Sequence, residues 1–307
     1  MTEHLSLFWL PSSKNLLIKS LEAEFSTLVI QSIQAGKISL PPIPEAVVKI
    51  QQLCADEDSS VNDIAECLIQ DPSLAAVVIR IANSVIFNRR NITFHDINTA
   101  VSRLGIFRVR DIVTAQSIDQ LKNATTLSDE CRAILVKSAA ISRQLGATMV
   151  LVTNEFKRLE PKEYRHLEQE KALLVGLLAD IGLFCLVSEY HNYLDNGNYL
   201  DPAIALQIFH SRCSSSSQLV LKQWGFDQDY IEVATNELLA ESRPEVSYLD
   251  IARIANHLLM FRNNDDGIDD HEVEINVTGA EVLYSLTNLS DMEFNTQIND
   301  IIKVSGL

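Results

Sequence analysis

Glycine and proline are scarce in this chain. Its 307 residues hold ten glycines and eight prolines, too few to punctuate a fold of many short strands, so long continuous elements are predicted. No convincing series of alternating strands is found, and 3.6-residue periodicity dominates, which predicts an all-α fold. The five cysteines, at 54, 67, 131, 185 and 213, lie far apart with no CxxC pair. Their odd number excludes a complete disulfide framework and suits a reducing cytoplasm. The glycine-rich loops GxGxxG and GxxxxGK[ST] that cradle phosphates are absent. So is a basic start followed by an apolar segment and a small-residue cleavage site, and no signal peptide is expected.

Positive charge is also in deficit. The net charge is -16, which disfavours generic binding to nucleic acid or to an anionic membrane. The exception is local. Residues 80–110 carry Arg80, Arg89, Arg90, Arg103, Arg108 and Arg110 against the single acid Asp96. Hydrophobic residues make up 47% of the chain, ample for a sizeable core. The most apolar run, 172–187, is shorter than the roughly 20 residues that cross a bilayer. It holds one charge, Asp180, and reads as a buried core helix.

The helical pattern divides readily. Residues 14–35 form one amphipathic stretch closed by Gly36, and "LPPIP" (40–44) is extended because proline fixes φ and restricts its predecessor. Helices follow at 45–55 and, capped by Ser59 or Ser60, through Ile69. In "DPSLAAVVIRIANS" (71–84), Asp71 caps and Pro72 occupies the first helical position. That helix is apolar nearly all round, which predicts a place at the centre of its bundle. Asp96 caps a helix that Gly105 ends, and another runs from 107 to 121. A second group is predicted at 130–152, 170–190, 202–223 and 228–240, with a charged connection at 157–171. About three more helices complete 248–307, broken by the acidic loop "NNDDGIDDHE".

Five segments in order, "LPPIPEAVVKI", "LIQDPSLAAVVIRIANS", "INTAVSRLGIFRVRDIV", "LLVGLLADIGLF" and "LVLKQWGF", resemble the HDOD domains, bacterial signalling modules related to HD-type metal phosphohydrolases. The resemblance implies a multi-helix HD-like bundle in two helical subdomains, with an N-terminal extension (1–35), the domain itself (36–240) and C-terminal helices (241–307). HD hydrolases hold metal with a His, an adjacent His-Asp pair and later His or Asp residues. Here the pair reads Ala179-Asp180, the first His position falls on Lys137, and a later one falls near Cys213. "NELLA" (236–240) stands where related domains carry a His-His pair. One remaining carboxylate does not hold a catalytic metal, so neither metal nor cofactor is expected. Lys137 is then the candidate to neutralise Asp180 in the metal's place.

Other candidates have plainer readings. His95-Asp96 is a helix cap, not a metal pair, and "DDHE" (269–272) is an acidic surface loop. His166, His191 and His210 lack i, i+4 partners or acids at metal-ligand spacing. Cys213 is inert by burial, and the serines 214–217 form a small polar patch that lets helices approach. Asn83 and Ser84 bond locally at a helix end or contact a ligand. The arginines at 80, 89, 90, 103 and 108 pair with the acidic C-terminal half or form a surface for anions or a partner. The leading expectation is a non-catalytic cytoplasmic regulator that binds signalling proteins, modulated by a ligand. A residual phosphohydrolase for a nucleotide or cyclic dinucleotide and a dimerising scaffold remain the alternatives.

Overall fold

The computed structural model describes residues 24–35, 44–88, 92–122, 127–237, 245–265, 268, 273 and 275–305. Among the described residues every regular element is helical. α1 (Glu24–Gln34) precedes a sub-bundle of α2 (Glu45–Ala55), α3 (Val61–Ile69), α4 (Pro72–Ala82), α5 (Ile97–Leu104) and α6 (Ile106–Lys122). The long α7 (Asp129–Leu159) and a 3₁₀ turn (Glu163–His166) lead to α8 (Gln169–Leu178) and α9 (Ile181–Asp195). Then come α10 (Pro202–Gln223), α11 (Gln228–Thr235), α12 (Tyr248–Arg262), α13 (Val277–Thr287) and α14 (Asp291–Ser305).

The helix starts follow their capping residues. Asp71 accepts from the N–H groups of Ser73 and Leu74, with Pro72 next in line. Ser60 and Asp63 cap α3 reciprocally, an arrangement that contributes about 1 kcal/mol. Asp96 accepts from the Thr99 N–H, and Gly105 ends α5 at φ 82°, a left-handed value that costs glycine little.

Apolar stripes from α2 to α6 close a core of their own around Val47, Ile64, Leu68, Val78 and Val101. The remainder holds two further cores that share α7. Leu135 joins Phe25, Leu183, Tyr190 and Phe209 in one. Farther along α7, Met149 and Phe156 join Leu174, Tyr230, Leu258, Val282 and Phe294 in the other. The C-terminal helices α12 to α14 are therefore part of the main core.

Four expectations about elements need correction. α7 runs on to Leu159, past the predicted end at 152 and into the predicted connection. α4 is not central: Leu74, Val78, Ile81 and Ala82 are buried but Ala76 is exposed, because α3, α5 and α6 cover one face. The predicted helix 170–190 is two helices, broken where Asp180 takes φ -98° and ψ 26°. Its halves are drawn to different partners. A Cβ on Gly176 would lie 2.5 Å from Gly146 Cα in α7, and one on Gly182 would lie 2.4 Å from Ser217 N in α10. Finally, α11 stops at Asn236, which is left-handed at φ 54°, not at 240. The Gln169–Asp195 stretch is long and apolar enough to cross a membrane, yet 83% of its most apolar window is buried inside the protein.

Candidate functional site

Asp180 sits at the α8–α9 break, 7% exposed, beside the 2% exposed Ala179. Ser217 of α10 pins this corner: its Oγ accepts from the Gly182 N–H at 2.9 Å and lies 3.5 Å from the Ala179 carbonyl, to which it can donate. Cys213, one turn earlier on α10, places Sγ 3.9 Å from Ser217 Oγ. Burial, and then the charge of Asp180, push the Cys213 thiol well above its ordinary range. A buried thiol held there is a poor nucleophile. The serine patch does let helices approach: Ser216 and Ser217 are fully buried.

Lys137 does not answer Asp180. It is exposed, whereas Leu135, Ser138, Ala139 and Ser142 are buried in that part of α7. The register matters, because a helix turns roughly 100° per residue and one step moves a side chain off the buried face. A divalent ion needs several donors and an open position. Ala179 offers none, Ser217 is engaged with the backbone, and Asp180 with the single thiol of Cys213 falls short of that number. Among the described residues no group of three or more His, Cys, Asp or Glu is placed to share a metal. The Asp180 corner does not fit one.

Asn83 works as a clamp. Its amide donates to the Ile79 carbonyl at 2.9 Å and the Phe94 carbonyl at 2.8 Å, and its Oδ1 accepts from the Phe94 N–H at 2.7 Å. Ser84 contributes its carbonyl, which accepts from the N–H groups of Phe87 and Asn88. Arg89 and Arg90 lie outside the described residues, as do residues 269–272. Arg80 is exposed on α4. His166 has one local contact, Nδ1 3.2 Å from the Glu163 carbonyl, and one distant in sequence, Nε2 3.0 Å from the Val246 carbonyl. For His191 the expectation was wrong: Asp195, four residues on, places Oδ2 3.6 Å from Nε2. The aspartate is exposed, and two groups do not make a metal site.

Arg103 and Arg108 converge where the sub-bundle meets the rest of the molecule. They border a hollow of about 430 Å³ together with Lys157, Arg165, Glu168 and Glu170. Arg108 and Glu168 also border a second cleft of about 540 Å³, with Lys171, Asp227, Asp229 and Tyr248. Arg108 Nη2 donates to Glu168 Oε2 at 2.5 Å. Lys171 bridges Asp227 at 2.9 Å and Asp229 at 2.5 Å. Burial presses the Lys171 pKa down, but its bonds to the two aspartates outweigh that and the net shift is upward.

Beneath lies a buried pair that the sequence reading missed. Arg110 donates through Nε and Nη2 to Asp111 Oδ1, at 2.9 and 2.7 Å, and through Nη1 to the Gly225 carbonyl at 2.7 Å. Tyr230 of α11 donates to Asp111 Oδ2 at 2.7 Å. The Arg110 guanidinium also lies 4.3 Å from the centre of the Phe226 ring. Burial raises the Asp111 carboxyl above its ordinary range, while Arg110 and Tyr230 pull it back. This cluster fastens α6 to α11 across the cleft. The available signal was weaker than the lone acid at Asp180: an adjacent Arg-Asp pair, Arg110-Asp111, set between Val109 and Ile112-Val113.

The family model of the HDOD domain matches residues 40–238. The chain belongs to the HDOD family. Among solved structures, this HDOD chain is similar to a Shewanella amazonensis protein provisionally assigned as a metal-dependent phosphohydrolase. Identity is 20% and the TM-score 0.68, over 96% of this chain and 99% of that one. An HDOD domain protein of unknown function from Geobacter sulfurreducens aligns at 18% identity and a TM-score of 0.50, over 91% and 96% of the two chains. At these identities the likeness establishes the fold. No curated protein matches the sequence significantly.

Proposed function

We propose that this HDOD domain is a non-catalytic cytoplasmic regulator that acts by binding another signalling protein. The observation that carries the reading is the donor set at the α8–α9 corner. Asp180 stands beside a methyl group, a single buried thiol and a serine committed to the Gly182 N–H. Activating water for phosphoester hydrolysis requires a metal held by several ligands, and this corner supplies one carboxylate. Membership of a signalling family supports the regulatory half of the reading.

The test has two arms. Purified full-length protein is analysed for metal and assayed against phosphodiesters in added manganese. We expect metal far below stoichiometry and no turnover. Stoichiometric metal together with turnover that disappears in Asp180→Asn would overturn the proposal in favour of a residual phosphohydrolase.

A further inference from the structure

We infer that the hollow between α5, α6 and the end of α7 binds a small phosphorylated molecule. Four cations border it: Arg103 from α5, Arg108 from α6, Lys157 from α7 and Arg165 from the 3₁₀ turn. Two carboxylates, Glu168 and Glu170, accompany them. In a chain of net charge -16, a local cation excess assembled from four separate elements calls for a reason. Stability is a poor one, because exposed ion pairs contribute only about 0–1 kcal/mol.

The state of each cation points to an anion. Arg165 is exposed and meets no carboxylate among the described residues. Lys157 spends its ammonium on a neutral acceptor, the Leu167 carbonyl at 2.8 Å. Arg103 lies over the Phe94 ring, 5.0 Å from its centre, and reaches Asn88 Oδ1 only at 3.5 Å. Arg108 donates to Glu168, yet its Nη1 is buried with no hydrogen-bond acceptor among the described residues. Such a donor is costly to leave unmade. Three guanidiniums border one space, and a guanidinium matches the bidentate geometry of a phosphate. The volume, about 430 Å³, lies within the roughly 300–1,000 Å³ of small-molecule sites. An incoming phosphate would replace Glu168 as the acceptor for Arg108 and would bridge the α2–α6 sub-bundle to α7. None of these residues belongs to the Asp180 corner, so the inference stands or falls separately from the proposed lack of catalysis.

Pyrophosphate is the probe. Titration calorimetry of the full chain in metal-free buffer at constant ionic strength should show saturable binding. Arg165→Ala and Arg103→Ala should each weaken it about tenfold, the loss of one charged hydrogen bond. Lys49→Ala removes an exposed cation of α2 that borders neither cavity, and should leave binding unchanged. Arg165 makes no contact whose loss would disturb folding, so that variant remains informative if Arg103→Ala is unstable. Absence of saturable binding would overturn the inference. So would equal weakening in all three variants, which would mark unspecific charge attraction, or unchanged affinity in Arg165→Ala.

Discussion

At the scale of single residues, the chain shows what a buried acid requires. Asp111 is answered by a guanidinium on its own helix and by a phenol from α11. Tyr230→Phe keeps the ring and removes one bond to a charged acceptor, so urea unfolding should show a loss of about 1.5–3 kcal/mol. Arg110→Ala should cost more, about 3–5 kcal/mol, because it strands a buried carboxylate. Equal or negligible losses would contradict this account of the cluster. Asp180 poses the same requirement, and there the sequence misled. Its burial was legible, since one charge stood in an otherwise apolar run. Its surroundings were not, because choosing Lys137 needed a helical register that an ungapped local match does not provide. Asp111 and Tyr230 lie 119 residues apart, and a linear reading has no access to such pairs.

At the scale of elements, caps were readable and breaks were not. Ser60, Asp71 and Asp96 mark their helices because the first backbone N–H groups need an acceptor, and that need is local. The interruption at Asp180 is not local. It follows from Gly176 facing Gly146 of α7 while Gly182 faces α10, a choice made by tertiary packing. The Gly182 contact gives a direct prediction. A methyl group there would lie 2.5 Å from the Cys213 carbonyl and 2.7 Å from Ser217 Oγ, and it would collide with the backbone that holds the corner. Gly182→Ala should therefore lose at least about 1–3 kcal/mol to overpacking, read as a lowered urea midpoint. A variant as stable as the parent would show that α9 and α10 are less closely apposed. The apolar circumference of α4 misled for a similar reason, since sequence reports which faces are apolar but not how many neighbours arrive to cover them.

At the scale of the molecule, the ties between its parts decide its behaviour in acid. Glu155 of α7 accepts from Arg158 and from Ser285 of α13. The Arg158 bond holds its carboxyl below the ordinary glutamate range, helped by Ser285 and opposed by burial. A carboxyl with a lowered folded pKa contributes stability that is complete above its unfolded value, 4.5, and is lost as pH falls through the folded one. Glu155→Gln should therefore lower stability at neutral pH, and the gap to the parent should close as the solution is acidified below that point. Denaturation curves that stay parallel throughout would refute the role assigned to Glu155. The same architecture has a consequence for how the chain is made. The α2–α6 core can close as soon as residue 113 or so has emerged from the ribosome, since its members span 47–113. The main core includes Phe294 and Ile298, so it stays unfinished until residue 298 or so has emerged. The nascent protein thus carries a folded leading part and, behind it, a large apolar interior without its last walls. During that interval it is a natural client for chaperones and an easy target for proteases.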